Sequence, residues 1–142
     1  MKVMSLIKNK KVITIDESAT LLELVSKFSQ HKVGALVVSK DGIGFKGIVS
    51  ERDVVREMHK NFNNLASIKV RDIMTTNVIT CKENEQIAEL MAIMTNQKFR
   101  HIPVVDDANN LISIISIGDI VKAYVDELEN EKKALQDYIT TG

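Results

Sequence analysis

The sequence predicts a mixed α/β (α+β) fold: two tandem β-α-β-β-α repeats related by pseudo-two-fold symmetry, with an extended C-terminal helix. Three observations carry that prediction. Residues 12–58 lie over residues 78–124 without a gap, at an offset of 66 throughout (Ser50 to Ser116, Asp53 to Asp119). Within each copy, β-branched runs alternate with apolar residues at three-and-four spacing, the periods of strand and helix. Each copy also ends on one junction, Gly47-Ile48-Val49-Ser50-Glu51-Arg52-Asp53 or Ser113-Ile114-Ile115-Ser116-Ile117-Gly118-Asp119, in which a short strand passes through Ser-x-x-Asp into a helix. Matching positions run through strands, helices and turns alike, which marks a tandem duplication.

The elements follow in chain order. A first strand is expected at 12–15 and again at 78–81. A polar stretch with a helix-capping candidate follows, Ser18 in the first copy and Asn84 in the second. The next helix is amphipathic, with Leu21, Leu24, Val25 and Phe28 on one face, and Ile87, Leu90, Met91 and Met94 in the second copy. A strand (35–38 or 102–105) then leads through a turn (Lys40-Asp41-Gly42, or residues 106–110) into another strand (45–49 or 111–115). Pro103 marks a strand start or a bulge, because proline has no N–H to give to a ladder. His31 and His59 fall at helix ends, where a cation suits the dipole. Between the copies, Val70-Arg71-Asp72-Ile73-Met74-Thr75 is expected to pack as a lead-in to the second copy, with Val70, Ile73 and Met74 inward. One such unit of about sixty residues would be marginal alone, so two are expected to pack face to face with two equivalent clefts between them. The expected division is 1–62 for the first repeat, 63–127 for the second with its linker, and 128–142 for the helical extension.

That extension reads as one helix through 120–139. Its apolar residues, among them Tyr124, Leu128, Leu135 and Tyr138, keep helical spacing, and Glu129 with Lys133 makes a favourable i,i+4 pair. Glu131 and Lys132 interrupt the stripe, so a helix packed across a dimer partner fits better than a continuous coiled coil.

Composition narrows the function classes. Nineteen basic and nineteen acidic residues give a formal charge of zero, with no basic arm or patch to drive nucleic-acid binding. No apolar run approaches the ~20 residues that span a bilayer, and the start lacks a secretory core, so a soluble cytoplasmic protein is expected. Cys81 is alone, which rules out an internal disulfide and a cysteine zinc cluster. It lies in a strand-like run with nothing to favour its thiolate, and reads as inert.

The two Ser-x-x-Asp junctions are the best candidate ligand sites. The plain alternative is a capping box, the serine taking an orphan N–H three residues on, although aspartate is shorter than the usual glutamate and should reach back less well. Cap and ligand roles are compatible for the same serine.

These paired endings, with Ile73-Met74-Thr75 ahead of the second copy and Arg100-His101-Ile102-Pro103-Val104 within it, resemble a tandem pair of CBS (cystathionine-β-synthase-type) domains over residues 3–125. The resemblance implies a nucleotide-sensing regulatory module that holds adenosine-containing ligands in clefts between the repeats and pairs as a disc-like homodimer. It implies ribose on Asp53 and Asp119, whose carboxylates can accept both hydroxyls of a cis-diol, and ribose or phosphate on Ser50 and Ser116. Backbone groups around Val12, Thr14, Val78 and Thr80 would meet the adenine edge. Arg100 and His101, beside Pro103, lie where family members contact phosphate; otherwise they would be a solvated arginine and a half-buried histidine. Their counterparts in the first copy are Gly34 and Ala35, so the first cleft is expected to lack these donors, with Arg52 compensating there and Gly118 in its place in the second.

The expected function is therefore regulatory. An adenine nucleotide (AMP, ADP, ATP or NAD(H), ahead of S-adenosylmethionine) would favour one arrangement of repeats or protomers, and an unidentified protein would read it in trans. A constitutive scaffold is the main rival. No metal cluster, activated nucleophile or Gly-rich phosphate loop supports an enzyme.

Overall fold

The computed structural model describes residues 1–141; Gly142, the end of the expected extension, lies outside the described residues. In chain order the elements are α1 (Met4–Ile7), β1 (Thr14–Ile15), α2 (Leu21–His31), β2 (Ala35–Val38), β3 (Gly47–Ser50), α3 (Glu51–Asn61), a 3-10 turn (Phe62–Ser67), α4 (Val70–Ile73), α5 (Ile87–Gln97), β4 (His101–Val105), β5 (Leu111–Ser116) and α6 (Ile117–Thr141).

Each repeat builds a small sheet on one helix. In the first, β1 runs parallel to β2 and β2 antiparallel to β3, with Thr14 opposite Val37 and Leu36 opposite Val49. In the second, β4 and β5 pair antiparallel, with Ile102 opposite Ile115. The expected strand at 78–81 shrinks to Cys81, which bridges Val104 in parallel through Cys81 N–H to Pro103 O (3.0 Å) and Val105 N–H to Cys81 O (2.9 Å). Pro103 explains the loss. The next rung toward the N-terminus needs an N–H at residue 103, which proline lacks, whereas the first repeat has Val37 there. Pro103 is thus neither a strand start nor the bulge itself; it sits inside β4, and the register shift falls between Val104 and Val105.

Two capping expectations are corrected. Thr20, not Ser18, caps α2, its hydroxyl accepting the Glu23 N–H at 3.1 Å. Ser18 instead bonds Asp16 through N–H and hydroxyl, at 2.8 and 2.7 Å. In the second repeat Gln86 replaces Asn84 at the cap position and makes no side-chain cap. The inward faces of α2 and α5 are narrower than the sequence stripe: Leu21, Leu24 and Phe28, like Ile87, Leu90 and Met94, are buried, while Val25 and Met91, one repeat apart, face outward.

The linker corrects another expectation. Val70 is fully buried, but in the first repeat's core, among Leu24, Leu36 and Val49, with Ile73 and Met74 packed on it. Its N–H donates to Ala19 O and that of Arg71 to Glu17 O, both at 2.9 Å. The mirror arrangement holds at the N-terminus: Val3 is buried in the second repeat's core among Ile87, Leu90 and Ile115, with Val3 N–H on Glu85 O and Met4 N–H on Glu83 O, again at 2.9 Å. Each repeat is therefore completed by the segment that precedes the other. Among the described residues no helix is long and apolar enough to cross a membrane.

A second cross-link ties the linker to β3. Ile48 and Thr75 exchange both backbone hydrogen bonds, Ile48 N–H to Thr75 O at 3.0 Å and Thr75 N–H to Ile48 O at 2.9 Å. Gly47 permits that approach, since a Cβ there would stand 2.5 Å from Thr75 O. Its counterpart Ser113 is buried with its hydroxyl lacking a hydrogen-bond partner among the described residues. Substitution at these equivalent positions should act with opposite sign. Gly47→Ala should lower stability by about 1–3 kcal/mol in urea unfolding through overpacking, whereas Ser113→Ala should leave stability unchanged or raised, because it removes an unsatisfied buried hydroxyl.

Candidate functional site

Both Ser-x-x-Asp junctions form the same local structure. The N–H of the first helical residue bonds the carbonyl at the start of the neighbouring strand, Glu51 to Gly34 O at 3.0 Å and Ile117 to Arg100 O at 2.9 Å. Each serine caps its helix and each aspartate reaches back. Ser50 N–H donates to Asp53 Oδ2 at 2.8 Å and Asp53 N–H to Ser50 Oγ at 3.3 Å; Ser116 and Asp119 repeat this at 2.9 and 3.1 Å. Aspartate was expected to reach back less well than glutamate, yet it closes the box at both junctions. The extended backbone at Ser50 brings its N–H down onto the carboxylate.

Closing the box uses only part of the carboxylate. Asp53 Oδ2 also takes the Ser50 hydroxyl at 3.1 Å, while Oδ1 has only a long contact to the exposed Arg56 guanidinium, 3.4 Å away. Oδ1 is the oxygen with accepting capacity to offer.

Asp53 borders a cleft of about 540 Å³, within the range of small-molecule sites. Four chain segments meet there. The first repeat supplies Gly34 and Ala35 at the start of β2, and Ser50, Arg52 and Asp53 at the β3–α3 junction. The second supplies Val78 and Ile79 just past the linker, then Phe99, Arg100 and His101 between α5 and β4. Eight of the sequence candidates thus converge: Gly34, Ala35, Ser50, Arg52, Asp53, Val78, Arg100 and His101. The expectation that this cleft lacks the Arg100 and His101 donors is corrected, because the strand starts of both repeats face one cleft. Val12, Thr14, Thr80, Pro103 and Ser116 do not border it. Thr14 O accepts Lys27 Nζ at 2.6 Å, and Pro103 is buried in β4.

The cleft is cationic. Arg52, Arg56, Lys98 and Arg100 line it against two carboxylates, Glu51 and Asp53. His101 is largely neutral near pH 7: burial lowers its pKa from the ordinary 6.5, and Lys10 and Arg100 push the same way against the opposing pull of Asp119. Arg56, Lys98 and Phe99 were missed from sequence. The last two directly precede Arg100, and Arg56 lies one turn beyond Asp53, so proximity to the motif was their only signal.

Asp119 lies in a second, smaller cleft of about 410 Å³ that is differently furnished. Lys10 Nζ donates to Asp119 Oδ2 and to Ile114 O, each at 2.5 Å. Ile114 corresponds to Ile48, whose carbonyl takes the Thr75 N–H. Ser113 carries a side chain where Gly47 has none, and at Ile114 a lysine ammonium takes the carbonyl instead of a backbone N–H. Nothing in the sequence set Lys10 apart from its neighbours Lys8 and Lys11. Burial raises the Asp119 pKa, but the Lys10 hydrogen bond and charge and the Ser116 N–H outweigh it, leaving the carboxyl below the ordinary 3.8. Other chemistry is weak: burial pushes the Cys81 thiol up to about 12, with Glu85 adding to the shift, and no acid–histidine–cysteine group among the described residues could hold a metal ion.

Comparison with known proteins gives the family. The CBS domain description matches residues 4–60 and again 70–126. A mitochondrial CBS domain-containing protein of Arabidopsis thaliana, CBSX3, is 39% identical over 127 residues, covering 87% of this chain and 61% of its own length. The crystal structure of a CBS-domain containing protein from Agrobacterium tumefaciens matches with a TM-score of 0.80 at 35% identity, over 87% of this chain and 99% of that one. A CBS domain protein from Pyrobaculum aerophilum, solved in complex with AMP, matches with a TM-score of 0.75 over 84% of this chain and 89% of that one; at 22% identity this shows the fold alone.

Removing Lys10 should release the second cleft electrostatically. In Lys10→Met the Asp119 carboxyl should titrate higher, read by NMR of the side-chain carbon. Because the folded pKa lies below 3.8, the stabilisation from Asp119 is complete above about pH 4 and is lost as pH falls through the depressed value. That acid-side loss should shrink in the variant.

Proposed function

The chain belongs to the CBS-domain family, with two copies in tandem, and from that premise we propose that it is a regulatory module binding one adenine nucleotide in the Asp53 cleft. The observation that carries this reading is the convergence of Asp53 from one repeat with Arg100 and His101 from the other in one cationic cleft. Asp53 Oδ1 accepts from the ribose hydroxyls while Oδ2 keeps the helix cap. Arg100, with Arg52 and Arg56 across the cleft, takes the phosphate in paired charge-assisted bonds. Phe99, Val78 and Ile79 supply apolar surface for the base.

Several features choose among ligands. Four cations against two carboxylates favour a phosphate over the positively charged sulfonium of S-adenosylmethionine. AMP is the leading ligand, its single phosphate matching the cationic side of the cleft, with ADP, ATP and NAD(H) sharing its adenosine chemistry. Lys10 already satisfies Asp119, so one nucleotide binds per chain, in the first cleft. The ligand bridges the repeats and shifts their arrangement by no more than its differential affinity for the two states. The module pairs with a second copy of itself and signals to a protein partner in trans within the cytoplasm. The inert Cys81 and the lack of a metal-ligating group among the described residues favour sensing over catalysis.

Titration calorimetry with AMP tests this. One equivalent should bind per chain, and saturation at a hundred times the dissociation constant should add about 2.7 kcal/mol of stability. Asp53→Asn, which keeps an oxygen for the cap, and Arg100→Ala should each weaken binding about tenfold or more. Absence of binding by AMP, ADP, ATP and NAD(H) at millimolar concentration would leave a constitutive scaffold.

A further inference from the structure

His101 links the two clefts. Among the ionisable groups bordering the Asp53 cleft, it is the one whose ordinary pKa lies near neutrality. It is half-buried at the start of β4, next to Arg100, and β5 places Ser116 opposite it. Ser116 in turn forms the capping box with Asp119, whose carboxylate accepts the Lys10 ammonium in the second cleft. The imidazole therefore borders the ligand cleft while it stands in the field of the Lys10–Asp119 pair.

Cations predominate around it. Lys10 comes from the lead-in segment, Arg100 precedes β4, Lys98 follows α5, and Arg52 and Arg56 stand on α3; Glu51 and Asp53 on α3 and Asp119 on α6 oppose them. Burial and the Lys10 and Arg100 charges accordingly keep the imidazole largely neutral near pH 7, against the pull of Asp119. A phosphate entering this cleft changes the balance. With close to two negative charges, it brings five cations against three anions near to parity. We propose, on the basis of the nucleotide reading above, that His101 takes up a proton as the ligand's phosphate enters, so that the cleft responds to proton concentration and nucleotide together. The neutral imidazole has one N–H to donate; the imidazolium has two, and its bonds to phosphate are charge-assisted. The sign follows from linkage. A group whose pKa rises on binding strengthens binding as pH falls through the bound-state value, and the gain levels off below the free-state value. The ligand's own phosphate titrates near pH 6 and opposes this trend, so the His101 contribution is the difference from a chain lacking the imidazole.

Proton NMR titration of the three histidines in the full chain, with and without saturating AMP, tests this. His101→Gln, which keeps an N–H donor but cannot ionise, identifies the His101 signal by its loss. With AMP the His101 midpoint should rise by about one pH unit or more, while those of His31 and His59, which do not border the cleft, should not move. In calorimetry between pH 8 and pH 6, the affinity of the unaltered chain relative to His101→Gln should grow about fivefold. Lys10→Met should raise the His101 midpoint in the free chain, because a cation acting on it is gone. AMP bound with an unmoved His101 midpoint, or the same pH dependence in His101→Gln, would overturn the proton uptake and leave nucleotide binding standing. Failure of AMP to bind would overturn this proposal together with the assignment of AMP on which it rests.

Discussion

Everything in this molecule depends on the exchange of lead-in segments between its repeats. Val70 fills the first core although it precedes the second repeat, and Val3 fills the second core although it precedes the first. The two segments dock through the same pair of backbone hydrogen bonds, on Ala19 and Glu17 in one repeat and on Glu85 and Glu83 in the other. A single repeat would lack a fully buried core residue and leave backbone acceptors without these partners, both costly in so small a unit. The exchange also carries the chain from Thr75 to Ile79 past the first repeat's Ser50–Asp53 junction, so the cleft follows from the way the fold closes.

Single residues break the symmetry that the exchange sets up. Pro103 in place of Val37 removes a ladder donor, and the second repeat keeps only one bridge where the first has a strand. Ser113 in place of Gly47 adds a side chain where Thr75 O packs in the first repeat. The carbonyl of Ile114 meets Lys10 instead of a backbone N–H, and the same ammonium neutralises Asp119. One duplicated motif therefore yields two chemically different clefts: one cationic with a carboxylate oxygen to offer, the other with its carboxylate held by a lysine of the same chain.

The capping box makes the ligand role proposed for Asp53 less costly. A carboxylate held only for binding would be costly to desolvate and order. Here Oδ2 is held by the Ser50 N–H and hydroxyl whether or not a ligand is present, so the second oxygen is positioned before binding. The same pre-positioning applies to Arg100 and His101, which begin β4 and are placed by its pairing with β5.

The duplication, the order of its elements, the two Ser-x-x-Asp junctions and the family resemblance were all legible in the sequence, because period and repetition are local properties of a chain. Helices α2 and α5 and strands β2 and β4 fall where their apolar spacing placed them, and Cys81 is as inert as its surroundings suggested. The caps were misread because Ser18 and Asn84 are as capable by type as Thr20 and Gln86; only the trajectory of the turn selects between them. Which cleft receives Arg100 and His101, which core takes Val70, and that Lys10 rather than Lys8 or Lys11 reaches Asp119 were decided by tertiary structure alone. Each is a contact between segments far apart in the chain, and no period along the sequence records which segment crosses to which repeat.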